Sequence, residues 1–324
     1  MLNYNLPTVI LLKYYLRVAG VLFTTLVLAS CATTRQEAAR AQRGRALIGT
    51  RATYCSVPRL PNGRADVDRL VSELVEIHAN TYSFCIHSAA TDWDDLKLFL
   101  PKARAAGIRV WASIVPPSES PPRSKLHAEP FLLDYERWAI EFARLSRHEP
   151  NLVAWSIDDF THNLKFYAPE KLKHMLDGAR RINPKLAFVP CCYYRSITPS
   201  FATHYVPLLD GMLFPFRDES GGANLTNATS VQAEVKRIKE IVGPNFPLIV
   251  DIYASAHSKL GATTPFYVEQ AMTSAQHCAE GVMVYRHQDP KANSEKFQIV
   301  KRLFSSWADE PNLNKMPRHQ KTFP

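Results

Sequence analysis

The sequence predicts an α/β chain folded as one (β/α)8 TIM barrel, on three observations. Eight short β-type runs begin near Arg51, Asn80, Ile108, Asn151, Lys185, Asp210, Phe246 and Gly281, and each leads into an amphipathic helical stretch. Their spacing averages about 33 residues, the length of one strand–loop–helix–loop unit. The runs end in polar or aromatic residues, as in Ser156-Ile157-Asp158-Asp159-Phe160, Asp251-Ile252-Tyr253 and Tyr285-Arg286-His287. Eight such units close a parallel barrel, whose functional residues stand at the C-terminal ends of its strands. A doubly wound open sheet is the alternative, but no nucleotide-binding Gly-x-Gly-x-x-Gly accompanies the runs.

The elements follow in order. Strand one covers 51–57, and Val67, Leu70, Val71, Leu74 and Ile77 then recur at helical spacing. Strand two, 80–87, is followed by a helix over 93–106 that Gly107 ends. Strand three, 108–115, runs into the Pro-rich loop 116–122, which can be neither helix nor central strand. Phe131, Tyr135, Trp138, Phe142 and Leu145 form the face of the third helix. After strand four, 152–158, Pro169 opens a helix with Leu172, Met175, Leu176, Ala179 and Ile182 on one face, and Asn183-Pro184 ends it. Strand five, 186–194, carries Pro190, the mark of a bulge, and a short helix over 201–209 comes next. Strand six, 211–216, and a Gly- and Asn-rich loop, 220–229, precede the helix of Val231, Val235, Ile238 and Val242. Strand seven, 247–253, a helix over 267–275 and strand eight, 282–287, complete the count, and Phe297, Val300, Phe304 and Trp307 face the closing helix.

The expected organisation is a signal segment over 1–30, a tether over 31–48, the barrel over 49–308 and a tail over 309–324. Lys13 and Arg17 precede an apolar run over 18–28, and Leu28-Ala29-Ser30-Cys31 follows, the layout of a secretory signal. The run is short for a spanning helix, which weakens the alternative of an uncleaved anchor. Those last four residues resemble the lipobox of bacterial lipoproteins. The resemblance implies cleavage before Cys31 and a lipid on its thiol, hence a membrane partner and a place in the cell envelope. Ala32 implies the outer membrane by the same resemblance. The formal charge of +9 falls to about +7 without the signal. It is spread along the chain, with no basic block interleaved with aromatics, so nucleic acid is not an expected partner. Six cysteines occur, Cys31, Cys55, Cys85, Cys191, Cys192 and Cys278, and none forms a Cys-x-x-Cys. Most suit the cores of strands, and a Cys55–Cys85 bridge between neighbouring strands stays open.

Alternation along each strand assigns the residues that face the barrel interior. In strand four Val153, Trp155 and Ile157 suit the helix layer, which turns Ala154, Ser156 and Asp158 inward. The same parity turns Asp251 and Tyr253 inward in strand seven, Tyr285 and His287 in strand eight, and Cys85 and His87 in strand two. Arg217 stands just past strand six, beside Asp218 and Glu219. Unpaired buried charge is costly, so a core selected for stability alone would not collect these groups. Asp158 alternatively locks to Arg217 or Arg286 as a rim pair, and Asp159 alternatively caps its own loop.

Two carboxylates flanking a scissile bond are what glycoside hydrolysis needs. Here the chain resembles the (β/α)8 glycoside hydrolases, which commonly place carboxylates after strands four and seven or four and six. Trp155-Ser156-Ile157-Asp158-Asp159-Phe160 resembles the acid-rich fourth strand of the chitinase-like barrels. In this chain the acids are adjacent and no Glu ends the motif, so only the reaction class carries over. Strands four and seven lie across the barrel mouth from each other, so Asp158 and Asp251 are the expected acid/base pair, with Asp159 and Asp218 in reserve. Arg217, Tyr253, Tyr285, His287, His87, Tyr194 and Trp111 are the candidates for holding a sugar, and no cofactor or metal is expected. No strand-one His-x-His, strand-end Lys or spaced Cys triad supports amidohydrolase, Schiff-base or radical chemistry. The rival from another class is a non-catalytic lipoprotein that binds glycan in a degenerate barrel mouth.

Overall fold

The computed structural model describes residues 37–126 and 128–309. The signal segment, the lipidation candidate Cys31 and the tail beyond 309 lie outside these residues. Eight parallel strands form the sheet: β1 (Thr50–Tyr54), β2 (Thr81–Ile86), β3 (Arg109–Ile114), β4 (Leu152–Ile157), β5 (Ala187–Phe188), β6 (Met212–Pro215), β7 (Leu248–Tyr253) and β8 (Gly281–Tyr285). Helices α1 (Val67–Glu76), α2 (Asp92–Ala105), α3 (Tyr135–His148), α4 (Pro169–Ile182), α5 (Pro199–Tyr205), α6 (Val231–Val242), α7 (Pro265–Cys278) and α8 (Glu295–Asp309) alternate with them. The strand order is β5-β4-β3-β2-β1-β8-β7-β6. An isolated parallel bridge between Cys191 and Leu213 joins its two ends. Around it Cys192 N–H donates to the Leu213 carbonyl at 2.8 Å, and Leu213 N–H to that of Pro190 at 3.0 Å. The fold is the α/β barrel that the spacing of the runs predicts.

Two apolar layers hold it. Outside the sheet Tyr82, Phe84, Phe99, Trp138, Phe142, Trp155 and Phe188 pack strands onto helices. Inside, Leu47, Ala52, Trp111, Ala154, Ala187, Ile249 and Met283 fill the barrel. Leu47 is fully buried there, and Arg43 pairs with the buried Asp210 at 2.8 Å. Residues 43–48 therefore belong to the barrel rather than to the expected tether, because their apolar and charged side chains have partners inside it. Residues 37–42, a separate unit, are helical.

The differences from expectation have local causes. Strand five shrinks to two residues because Pro190 offers no N–H to the ladder. Val153 packs against the inner layer rather than the helices, since the β3–β4 register slips between Val110 and Trp111. A small hairpin, Ala256–His257 with Gly261–Ala262, follows β7 and carries no apolar alternation that would have announced it. The expected short helix after strand five is present as α5, capped by the Thr198 side chain accepting from Phe201 N–H. Beyond β2 the buried Asp92 carboxylate accepts from the N–H groups of His87 (3.1 Å), Ser88 (2.7 Å) and Ala89 (2.9 Å) and from Arg59 (2.6 Å). That one carboxylate sets the path of the β2 exit loop and with it the place of His87.

Candidate active site at the barrel mouth

The β4 exit builds the centre of the site. Asp158 N–H still donates to the Ile114 carbonyl at 3.0 Å, so its backbone continues the ladder. Its Oδ1 accepts from Asp159 N–H at 2.9 Å. Asp159 is left-handed, with φ of 43°, a conformation that Asp tolerates better than most residues. The turn throws its carboxylate sideways, where the Tyr193 hydroxyl donates a short hydrogen bond to it and His162 lies 3.7 Å away. The His162 ring stacks on Tyr193 at 4.1 Å, and the Arg217 guanidinium lies over the same tyrosine ring at 4.2 Å. Glu219 holds Arg217 through hydrogen bonds of 3.1 and 2.5 Å.

The environment pushes the two adjacent carboxyls apart. Burial and the charge of Asp159 raise Asp158, against the pull of His87, the Asp159 N–H and the Cys191 thiol. Burial alone would raise Asp159 as well, but His162, the Tyr193 hydroxyl and Arg217 outweigh it and hold this carboxyl below its usual range. Glu119, in the Pro-rich loop after β3, is pushed up to about 7 by burial and by the charges of Asp158 and Asp159, with His162 opposing. Divergent carboxyls in one site are the raw material of acid/base catalysis.

Asp251 sits deeper. It is fully enclosed, and its Oδ2 accepts from the Tyr54 hydroxyl at 2.7 Å. Burial pushes it up to about 8, the Tyr54 hydrogen bond opposing and Asp158 adding to the rise. Tyr54 packs against Tyr285 with ring centroids 5.1 Å apart, and Tyr285 against Tyr253 at 5.4 Å. His257 of the hairpin meets Tyr253 edge-on at 5.4 Å.

Of the residues singled out in the sequence, the structure thus brings Asp158, Asp159, Arg217, Tyr253 and Tyr285 together, with Asp251 beneath them. Asp251 does not face a ligand across the mouth, because Tyr54 covers it. His87 stands beside Cys55 and Cys85, with Asp158 close enough to act on it electrostatically. The others lie elsewhere. Asp218 turns into its own loop, where it accepts from Asn224, from Asn227 at 3.0 Å and from Ser230. His287 lies fully buried on the helix side of β1, between Thr53 at 3.1 Å and Glu73 at 3.3 Å. Trp111 is enclosed in the inner layer, and Tyr194 turns to the helix layer near Phe214. The sequence reading did not single out Glu119 or Tyr54. Glu119 is the only acid in the run Pro116–Pro122, and that isolation is the signal that would have found it. Asp158, Asp159 and Cys191 place one donor atom each within 4.8 Å of one another, as do Cys55, Cys85 and His87.

No protein-family model and no curated protein matches the chain. Solved structures do. GH5_18 from Streptomyces cattleya, in complex with Manβ1-4GlcNAc, superposes with a TM-score of 0.56 at 12% identity, over 80% of this chain and 82% of that one. A GH113 β-1,4-mannanase gives 0.54 at 9%, over 80% and 98%. Bacteroides uniformis β-glucuronidase 2 gives 0.52 at 14%, over 73% of this chain, which spans only 30% of that enzyme. At these identities the likeness is one of fold: the chain is similar to the barrels of glycoside hydrolases.

Proposed function

We propose that the chain is a glycoside hydrolase acting on a poly- or oligosaccharide of the cell envelope or exterior. The observation that carries this reading is the pair of adjacent carboxyls at the strand ends, Asp158 pushed up and Asp159 held down. Asp158 keeps its proton and delivers it to the glycosidic oxygen. Asp159, ionised, attacks the anomeric carbon or takes a proton from water. Their nearest donor atoms lie within 4.8 Å, closer to the spacing of a direct nucleophile, about 5 Å, than to that of a water-activating base. Tyr253 and Tyr285 offer faces for a sugar ring, and Arg217 hydrogen-bonds its hydroxyls. Asp251, kept protonated up to about pH 8 by burial, lies beneath the pair without touching substrate. The glycoside hydrolases among the similar folds support the reaction class, while the substrate rests on the site.

A glycan panel on the full chain tests the reading, scoring binding and product release for wild type and Asp158→Asn. Product formation slowed by about 10²-fold or more, with binding kept, is the expected result. Binding without product in either protein would instead leave a glycan-binding lipoprotein and overturn the catalytic role.

We further propose a lipid anchor at Cys31, with the outer membrane as destination, a reading supported by the lipobox-like Leu28-Ala29-Ser30-Cys31 and by Ala32. Cells fed a radiolabelled fatty acid should label the wild-type protein and not Cys31→Ala. Equal labelling of both would remove the anchor.

A further inference from the structure

One cluster at the barrel mouth is left without a task by this chemistry. We propose that Cys55, Cys85 and His87 form a binding site for one thiophilic divalent cation, zinc(II) by donor chemistry, with a fourth position free for water or another ligand.

The argument begins with the backbone. Ala52 and Tyr54 of β1 face the barrel interior, so an extended continuation would turn Cys55 to the opposite face. Instead Cys55 is left-handed, with φ of 57°, a conformation that L side chains other than Asn and Asp rarely adopt. The strained turn brings its thiol back toward the neighbouring strand, to 3.6 Å from Cys85 Sγ. Cys85 is an inward residue of β2, and His87 comes two positions later, on the exit loop that Asp92 fixes. His87 Nε2 lies 3.9 Å from Cys55 Sγ, and the three donor atoms all fall within 4.8 Å of one another.

The two Cys55 separations are close to those of a tetrahedral centre. Zn–S bonds of about 2.3 Å and a Zn–N bond of about 2.05 Å put two sulfurs about 3.8 Å apart and sulfur and nitrogen about 3.6 Å apart. Two thiolates and an imidazole select a soft or borderline cation over magnesium or calcium. Three protein ligands with one open position are also how catalytic rather than structural zinc sites are built. Cys55 and His87 are half-buried while Cys85 is buried, so the cation has a route in and a solid floor. Cys55 and Cys85 form no disulfide with each other. The second cluster, Asp158, Asp159 and Cys191, is a weaker candidate. Its carboxylates are already engaged with the Asp159 N–H, Tyr193 and His162.

The test uses the full chain, reduced and stripped of metal, titrated with zinc(II) against a chromogenic chelator and separately with cobalt(II). The expected result is one zinc per chain and a thiolate-to-cobalt charge-transfer absorption. Cys55→Ser and His87→Gln should each weaken zinc binding by roughly a hundredfold or more, while Cys278→Ser should not change it. Circular dichroism of the variants separates lost binding from lost folding, and the half-exposed Cys55 is the safer of the two positions. Zinc retained in both variants but lost in Asp159→Asn would move the cation to the other cluster and overturn the proposal. So would a Cys55–Cys85 disulfide in the isolated protein combined with no zinc uptake after reduction.

Discussion

Replacing Asp251 by Asn is expected to stabilise the barrel at pH 8 by several kcal/mol and to change little at pH 4. Asp251 has no exposed surface, and among the described residues its Oδ1 has no hydrogen-bond partner. Burial and the Asp158 charge raise it to about 8, with the Tyr54 hydroxyl working the other way. An unfolded chain would ionise the same carboxyl near pH 3.9. Between those values the folded state keeps a proton that the unfolded state has released. Stability is then complete below about pH 4 and is lost progressively as pH rises toward 8, by up to about 1.4 kcal/mol per pH unit. Across the whole window the loss is on the order of 5 kcal/mol. Asn cannot ionise, and its carbonyl oxygen can still accept from Tyr54, so the variant escapes the penalty. Urea denaturation of both proteins at pH 4, 6 and 8 reads the effect directly. Parallel stability–pH curves for wild type and variant would show that Asp251 is ionised in the fold.

The barrel was legible because its signals are periodic and repeated. Apolar residues three and four apart mark each helix, and eight units of similar length leave few other closures. The site was legible in part, and the boundary between what could and could not be read is physical. Parity along a strand holds only while the chain stays extended. Just past the ends of β1, β4, β6 and β8 stand Cys55, Asp159, Asp218 and Arg286, all with positive φ between 43° and 59°. Each breaks the alternation. The left-handed Arg286 is why His287, inward by parity, is instead buried against Thr53 and Glu73. The one at Asp218 folds that carboxylate into its own loop. The one at Cys55 does the reverse and brings a thiol that parity would send outward to Cys85. Trp111 shows a second limit, since alternation gives the face of a strand but not the depth along the barrel axis. Glu119 shows a third. It reaches the site from a Pro-rich loop, where no periodicity exists to read.

The largest expected loss of activity belongs to Asp159→Asn, by about 10³- to 10⁴-fold against the glycan that the panel identifies. The asparagine keeps the shape of the side chain and its hydrogen bond from Tyr193, and removes only the charge. That charge is what the surroundings are arranged to keep, through His162, the Tyr193 hydroxyl and Arg217 acting against burial. In the wild type, activity should fall on the acid side only below the ordinary carboxylate range, where Asp159 takes up its proton. On the alkaline side it should fall above that range, as Asp158 loses the proton that burial and Asp159 hold in place. Glu119 titrates near 7 in the same space, so its ionisation adds a negative charge that tightens the proton on Asp158. Tyr193→Phe separates these limbs. Without the hydroxyl the Asp159 carboxyl rises, the acid limb moves to higher pH and the alkaline limb stays, which narrows the profile from one side. A pH–rate series on wild type, Tyr193→Phe and Asp159→Asn tests the assignment. An Asp159→Asn protein that turns over glycan at near wild-type rate would transfer the ionised role to another carboxylate. An unmoved acid limb in Tyr193→Phe would mean that the group titrating there is not Asp159.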